Sequence, residues 1–186
     1  MTLGTFTPKP KRCVQCKKLF TPARPMQAVC DSLCALRKVR EAKVEERARV
    51  KTAKETLKKT GTLIYEAQAA FNAFIRLRDA GQPCICCGKP FEPTKPGGSV
   101  DAGHFRSRGA APHLRFNEDN CFAQRKNCNR PGGATYAAFR AGVVARIGLA
   151  RVEALESDNA IKKWTKDELR EIRATYRAKA KELKAA

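Results

Sequence analysis

Apolar residues recur every three or four positions in several stretches of the chain, which is the spacing that places them on one face of an α-helix. Residues 64–79 show this most clearly, and their stripe consists of Ile64, Ala67, Phe71, Phe74 and Ile75. The tail repeats the pattern at Phe139, Val143 and Ile147, then at Val152 and Leu155, and finally at Leu169, Ile172, Tyr176 and Leu183. Gly148 is predicted to end the first of these tail helices. Each helix is expected to pack against the body of the protein by its apolar face.

Residues 36–59 are also rich in helix formers, but their pattern is poorer. They contain ten Lys or Arg and four Glu, and the apolar seam is interrupted by Lys43 and Glu46. This is too weak to indicate a coiled coil. We expect a solvent-exposed basic helix that joins two modules, acts as a spacer or contacts phosphate, and ends at Gly61. The seam consists of Leu36, Val39, Val50, Ala53 and Leu57.

The middle of the chain predicts a small amount of β-structure. A short strand is expected from Val100 to Arg106, a returning strand over residues 114–116, and a turn over residues 117–120. A helix is expected to begin near Gln124 and, after an irregular stretch at residues 131–133, to resume at Thr135. Thr165 and Glu168 have the spacing of a capping box that opens the last helix, with Trp164 packed just before it. The predicted fold class is therefore α+β and predominantly helical.

The charge of the chain points to a polyanionic partner. Lys and Arg number 38 against 18 Asp and Glu, a net charge of +20 spread over the whole chain. Nucleic acid is the favoured partner, because the basic helices lack the Trp- and Leu-rich face that a membrane surface requires. We expect no membrane association, since no window approaches the roughly 20 apolar residues of a membrane span. No secretory signal is recognisable, which predicts a cytoplasmic protein with reduced thiols.

Nine cysteines in a reducing compartment indicate metal binding, and they fall into groups of four and five. In the first group, two close pairs are separated by thirteen residues, the spacing of a tetrahedral zinc site. Its predicted ligands are Cys13, Cys16, Cys30 and Cys34. The second group begins with Cys84 and Cys87, between which Cys86 is expected to be a bystander, and ends with Cys121 and Cys128. These thiols bracket the residues that carry the candidate chemistry.

Phosphodiester hydrolysis requires a base, a metal ion and groups that position the phosphate. The base would be His104, one of only two histidines, because imidazole accepts a proton near neutral pH. Asp101 is a hard oxygen ligand suited to Mg²⁺ or Mn²⁺, and Asn129 offers an amide oxygen to the same ion. Asn120 would either pin the loop or orient the histidine. Asp79 is expected to play a structural part at the end of the preceding helix.

The order Cys-x2-Cys, Asp-x2-His, Asn, Cys-Asn resembles the HNH endonucleases. The stretches FNAFIRLRD, PCICCG, DAGHFRSRGAAPHLRFNEDN and ARIG are similar to the NinG (Rap) recombination proteins of lambdoid phages. The resemblance implies a ββα-metal core that cleaves branched DNA, such as Holliday junctions or displaced-strand loops, in the cytoplasm of the bacterial host. It makes His104 the general base, Asp101 a metal ligand, and Asn120 and Asn129 the later members of the catalytic set.

This chain departs from the expected family pattern at two positions. Phe122 stands where a histidine is common, and Arg125 stands where a second Cys-x2-Cys would begin. Cys128 therefore lacks its usual partner, and Cys121 is the replacement that would complete a second zinc site. The implied organisation is a zinc module over residues 1–35, a basic helical linker over 36–62, an HNH-like core over 63–148 and basic helices over 149–186.

Four arginines near the histidine are predicted to contact DNA phosphates: Arg76, Arg106, Arg108 and Arg115. Two other functions fit the same residues. One is a non-catalytic, zinc-stapled module that binds or anneals DNA, which Phe122 and Arg125 favour, and the other is an RNA-binding zinc protein. Symmetric cleavage of a junction would need two active sites, so a homodimer is also expected.

Overall fold

The computed structural model describes residues 8–185 and divides between Lys58 and Lys59 into two compact units. The described residues form five α-helices and two small antiparallel sheets, so the predicted α+β class is confirmed. None of these helices is long and apolar enough to cross a membrane.

The first unit contains a hairpin and a long helix. Strands β1 (Lys11–Arg12) and β2 (Leu19–Phe20) pair antiparallel, and helix α1 spans Ser32–Thr56. The helix begins at Ser32 because the carboxylate of Asp31 accepts a hydrogen bond from the backbone N–H of Cys34 at 2.7 Å. Cys34 is the one buried residue of α1, so the prediction of a largely exposed basic helix is confirmed.

The second unit begins with α2, which spans Thr60–Arg78. Its buried face contains the predicted stripe from Ala67 to Ile75, joined by Leu63. The prediction that a helix ends at Gly61 is wrong, because Gly61 lies in the first turn of α2. The other end of α2 is fixed by the buried Asp79, which accepts a hydrogen bond from the N–H of Ala123 at 2.8 Å and pairs with Arg78. The structural part expected for Asp79 is confirmed.

A second hairpin forms the centre of this unit. Strand β3 (Val100–His104) pairs antiparallel with β4 (Cys121–Arg125), so that Gly103 faces Phe122 and His104 faces Cys121. The prediction of a returning strand at residues 114–116 is wrong, since that region contains a short 3-10 turn, Pro112–Leu114. The prediction of a helix near Gln124 is wrong as well. Residues 121–124 are all buried, and a short strand covered on both faces lacks the alternation that identifies strands.

The hairpin lies between two apolar clusters. One contains Cys121 with residues of α2 and of α5 (Lys166–Ala185), and the other contains Phe122 with residues of α3 (Tyr136–Ile147) and α4 (Leu149–Ser157). Successive residues of a strand point to opposite faces. Cys121 and its cross-strand neighbour His104 therefore face α2 and α5, whereas Phe122 faces α3 and α4.

Helix α5 starts as its sequence predicts. Thr165 and Glu168 form the reciprocal bonds of a capping box, at 2.8 Å and 3.2 Å. Trp164 packs edge-on against Phe116 with ring centroids 5.1 Å apart and donates its N–H to the carbonyl of Pro112. The predicted apolar stripe is only partly right, because Leu183 is 43% exposed.

Candidate metal centres and catalytic cleft

The two Cys-x2-Cys segments fold into turns of the same shape. The N–H of Lys17 donates to the carbonyl of Cys13 at 3.0 Å, and the N–H of Gly88 donates to that of Cys84 at 2.9 Å. Lys17 and Gly88 have φ angles of 62° and 65°, so each chain curls back in the left-handed region after the second cysteine. Glycine adopts this conformation freely. This geometry directs backbone N–H groups towards the sulfurs, as metal-binding turns require.

The first group brings four thiols together. The sulfurs of Cys13, Cys16, Cys30 and Cys34 all lie within 4.8 Å of one another, a separation that a tetrahedral zinc ion with four thiolates can bridge. Burial raises the pKa of Cys13, but N–H groups of Cys16, Cys30 and Gln15 outweigh it and lower that pKa to about 6. Metals bind the thiolate form, which Cys13 supplies, whereas the hydrogen bond to Asp31 raises the pKa of Cys30 and burial raises that of Cys34. The grouping of the four sulfurs is therefore what suits the site to zinc.

The second group contains only three mutually close thiols among the described residues, those of Cys84, Cys87 and Cys128. The prediction that Cys121 is the fourth ligand is wrong. Its side chain is fully buried in the apolar cluster beneath α2, and its sulfur lies 3.8 Å from Nδ1 of His104. Burial raises the pKa of Cys121 to about 12, which keeps the thiol protonated. A tetrahedral ion held by the other three would take its fourth donor from elsewhere.

Two neighbours complete the surroundings of this group. Cys86 receives a hydrogen bond from Nε2 of Gln124 at 2.9 Å and lies outside the three-sulfur group. Arg125 donates its backbone N–H to the sulfur of Cys84 at 3.2 Å, and its guanidinium pairs with Glu92. The hydrogen bond with Cys86, against the opposing effect of burial, lowers the pKa of Cys84 to about 4. Arg125, which stands where the resemblance leads us to expect a cysteine, therefore supports the site from its backbone.

Helix α3 packs directly on this cysteine turn. A Cβ atom placed on Gly142 would lie 1.7 Å from the carbonyl oxygen of Ile85, the residue between Cys84 and Cys86. Only glycine permits so close an approach, because real Cβ atoms do not come within 3.0 Å of another heavy atom. This contact was not predicted from the sequence. A glycine in the middle of an otherwise well-formed helix is the signal that could have found it.

A polar cleft of about 320 Å³ opens beside the hairpin. Strand β3 contributes Asp101 and His104, the turn after β4 contributes Asn129, and α2 contributes Asn72 and Arg76. Nδ2 of Asn129 donates to the carboxylate of Asp101 at 3.3 Å, which ties the turn to the strand. The structure therefore brings three of the four predicted catalytic residues into one cleft.

The fourth, Asn120, is not in the cleft. It is fully buried, accepts a hydrogen bond from the N–H of Arg106 at 2.7 Å, and donates to the carbonyls of Arg106 and Leu114. These three bonds hold the loop between β3 and β4. Its predicted catalytic position is therefore corrected in favour of the alternative, a loop-pinning residue.

His104 forms the inner wall of the cleft. Its Nε2 lies 2.9 Å from the carbonyl oxygen of Arg115, which can only accept, so Nε2 carries the proton and Nδ1 carries the lone pair. The ring lies near that of Phe71, with centroids 6.1 Å apart. Burial, against the opposing effect of the hydrogen bond to the Arg115 carbonyl and aided by the charges of Arg108 and Arg115, lowers the pKa of His104 to about 4. The imidazole is therefore neutral at pH 7.

Three of the four predicted phosphate-binding arginines surround the cleft. Arg76 and Arg108 line it, and both also line an adjoining hollow of about 440 Å³ together with Arg115. Burial, and then the nearby charge of Arg108, lowers the pKa of Arg115. An anion bound between these guanidiniums would relieve their repulsion.

The fourth arginine has a structural role in place of the predicted phosphate contact. Arg106 donates to the carbonyls of Leu155 and Asp158 and to Oδ1 of Asn159. It thereby satisfies carbonyls at the end of α4, where the helix dipole favours a cation. Of the four arginines predicted to contact phosphate, only the three around the cleft lie where the prediction places them.

A polar row on α2 was also not predicted from the sequence. Gln68, Asn72 and Arg76 follow one another at intervals of four residues, and Nε2 of Gln68 donates to Oδ1 of Asn72 at 2.8 Å. Gln68 in turn accepts from Arg115 at 3.3 Å. The four-residue spacing of polar side chains in an otherwise apolar helix was a usable signal.

Comparison with known proteins identifies relatives along nearly the whole chain. Residues 6–185 match the model of the family described as Bacteriophage Lambda NinG protein. The protein ninG of Salmonella phage P22 is 34% identical over 195 residues, covering 94% of each chain. Those of Escherichia phages lambda and 933W are 34% and 35% identical, covering 95% of each chain. No solved structure matches.

Proposed function

The chain belongs to the NinG family of bacteriophage proteins, and on that premise we propose that it is a metal-dependent endonuclease that cleaves branched DNA during recombination. Its place of action would be the cytoplasm of the infected bacterium. The observation that carries the proposal is the cleft in which a carboxylate, a neutral imidazole and two amides meet two guanidinium groups. This set supplies the metal ligand, the proton acceptor and the phosphate-binding charges that hydrolysis of a phosphodiester needs.

The donor set of the cleft suits a hard divalent cation. Mg²⁺ in phosphate-processing enzymes is usually held by one or two carboxylates, and water and substrate phosphate fill the remaining positions. Asp101 would supply the carboxylate, and Asn129 would supply its amide oxygen if the amide turned over, since Asp101 and Asn129 are already within 3.3 Å. Such an ion would stabilise the negative charge that develops on the phosphate and the leaving oxygen.

The protein's own groups perform the remaining steps. Arg76 and Arg108 would bind the non-bridging oxygens of the scissile phosphate and orient it. Nδ1 of His104 carries the lone pair and would accept the proton of the attacking water as the new P–O bond forms and the ester P–O bond breaks. In the free protein the charges that act on His104 are those of Arg108 and Arg115, which lower its pKa. Bound DNA phosphates would have the opposite charge and would raise that pKa.

The preference for branched DNA rests on the resemblance to recombination proteins and is supported by charge. The net charge of +20, together with the arginines of two adjoining hollows, suits a substrate whose phosphates arrive from more than one direction.

A second candidate is a non-catalytic recombination protein that binds branched DNA through the same surface. One observation favours it: both ring nitrogens of His104 face protein atoms, Nε2 the carbonyl of Arg115 and Nδ1 the sulfur of Cys121. In that candidate His104 is a structural residue, and the cleft binds phosphate without cleaving it. Its two zinc sites would serve only to staple the fold.

Cleavage and binding of a synthetic four-way junction distinguish the two candidates. The wild type, Asp101→Asn and His104→Gln are incubated with the junction in Mg²⁺ and in Mn²⁺, and binding is measured separately by fluorescence anisotropy. The nuclease predicts that both substitutions abolish cleavage while binding stays within about threefold. Asp167→Asn, at an aspartate that is 93% exposed on α5, is the matched control and should cleave normally.

Other outcomes decide against the nuclease. Undiminished cleavage by His104→Gln and Asp101→Asn would show that the activity resides elsewhere, or in a contaminant. Binding without cleavage by every protein, in both metals, would establish the accessory role instead. In either case Arg108→Gln should reduce the slope of log affinity against log salt by about one, since it removes one phosphate contact.

A further inference from the structure

We propose that helix α1 is a dimerisation element: two copies of the chain pair through it in antiparallel orientation, with Lys43 of each copy against Glu46 of the other. The proposal concerns the first unit alone and does not depend on the nuclease. The apolar seam is too weak by itself to indicate pairing, and the evidence lies in its exposure on α1, in the complementary charges that interrupt it, and in the side of the helix that the cysteine module occupies.

The apolar side chains of α1 form an exposed seam. Leu36, Val39, Val50 and Leu57 are 67%, 53%, 41% and 80% exposed. With Ala53 they occupy a and d positions of a heptad repeat, and the one gap in the repeat, between Val39 and Val50, holds Lys43 and Glu46. The seam runs the length of the helix, and water is in contact with all of it.

The cysteine module leaves this seam open. Cys34, whose sulfur belongs to the zinc group, and Glu41, which accepts a hydrogen bond from Gln15 at 2.6 Å, both occupy f positions of the same heptad. The f positions lie on the side of a helix opposite to its a and d seam. The module thus packs on the back of α1 and does not obstruct a second helix.

Only two residues of the seam are charged, Lys43 at an a position and Glu46 at a d position. In an antiparallel pair each a residue faces a d residue of the other helix. One register places Lys43 opposite Glu46 of the second copy, and the two-fold axis repeats this pair. The same register places Val39 opposite Val50 and Leu36 opposite Ala53, and only Leu57, which follows the last residue of α1, faces a polar residue, Ser32.

Other arrangements leave these charges mismatched. A shift of one heptad in either direction would place Lys43 against Ala53 or Val39, where it would lose its partner. A parallel pair in register would place Lys43 against Lys43 and Glu46 against Glu46, and like charges at such short range repel. Within one chain Glu46 pairs with Arg49 at 2.9 Å, but both side chains are more than half exposed, so releasing this pair costs little.

Size and charge predict a weak dimer. The 25 residues of α1 span about 37 Å at 1.5 Å per residue, which is a small interface. Arg40, Arg47 and Lys54 occupy e positions and would approach their counterparts across the edge of the pair. Because they are exposed, physiological salt screens this repulsion beyond about 8 Å. We therefore expect association that depends on protein concentration.

Charge reversal tests both the interface and its orientation. Full-length wild type, Lys43→Glu, Glu46→Lys and the double variant are compared by sedimentation velocity over a range of concentrations at constant salt. Each single variant should weaken dimerisation about tenfold, because it replaces two attractive pairs with two repulsive ones. The double variant should recover the wild-type dissociation constant within about threefold. A parallel pair would instead give four similar dissociation constants, since like charges face each other in the wild type and in every variant.

Two control variants carry the same charge changes on faces outside the seam. Lys51→Glu and Glu45→Lys, at b and c positions, should dimerise like the wild type, and circular dichroism of every variant should show an intact helix. A wild type that remains monomeric at all concentrations overturns the proposal. So does a dimer that the single reversals leave unchanged, which would mean that the helices pair in parallel or that the interface lies elsewhere on the chain.

Discussion

The substitution Gly142→Ala tests the contact between α3 and the second cysteine turn. An added Cβ would lie 1.7 Å from the carbonyl oxygen of Ile85, so α3 or the turn must move by more than an ångström to reach a tolerable distance. The obstructing atom belongs to the backbone, so no side chain can rotate away. Overpacking of this kind costs about 1–3 kcal/mol. The better helix propensity of alanine offsets this loss of stability by up to about 1 kcal/mol.

We therefore expect Gly142→Ala to lower the free energy of unfolding by about 1–2 kcal/mol, measured by urea denaturation of the zinc-loaded protein. A loss of this size corresponds to a fall of roughly 5 °C in melting temperature. The displaced turn carries Cys84 and Cys87, so zinc should also be released faster to a colorimetric chelator. The rate from the first cysteine group should stay unchanged.

Gly61→Ala is the matched control, because Gly61 is also helical but a Cβ added there would have no heavy atom within 4 Å. Alanine there should be neutral or stabilise by up to about 1 kcal/mol. Equal stability and equal zinc release in Gly142→Ala and the wild type would show that α3 does not pack against the turn as described.

Three further predictions concern the second cysteine group, the buried Asp79 and the buried His104. Cys128→Ser should release one zinc equivalent, whereas Cys121→Ser should retain the full wild-type content, measured by metal analysis after gel filtration; loss of zinc from Cys121→Ser would restore that residue as a ligand. Asp79→Ala should lower the free energy of unfolding by about 2–4 kcal/mol, because it leaves the buried N–H of Ala123 unpaired and removes the carboxylate from Arg78, whose guanidinium keeps only the carbonyls of Glu118 and Cys121; a small loss in urea denaturation would contradict this. His104 should titrate near pH 4 by NMR. Because folding lowers the pKa of His104, its contribution to the free energy of unfolding is present above about pH 6.5 and is lost as the pH falls towards 4, by on the order of 3 kcal/mol. The stability of His104→Gln should lack that part of the pH dependence. An ordinary titration of His104 near pH 6.5 would refute the burial argument.

Local patterns allowed much of the fold to be predicted. The apolar stripe of α2 and the capping box at Thr165 are written in residues three or four apart, and the structure reproduces both. The first cysteine group could be predicted for the same reason, since spacing alone brings two close pairs of thiols together. The cleft was partly predictable: Asp101 and His104 lie on one strand, and Asn129 follows its partner strand closely.

Only the tertiary structure decided which of the predicted residues lie outside the cleft and the metal site. Asn120 and Arg106 are polar and lie close in sequence to residues that line the cleft. Asn120, however, holds a buried loop, and Arg106 donates to carbonyls at the end of α4. Cys121 lies within the metal-binding segment, but the alternation of side chains along β4 points its thiol towards the apolar core. A sequence shows which groups are available for chemistry. Whether a side chain faces solvent, a metal or the core depends on strand pairing and helix packing between residues far apart in the chain.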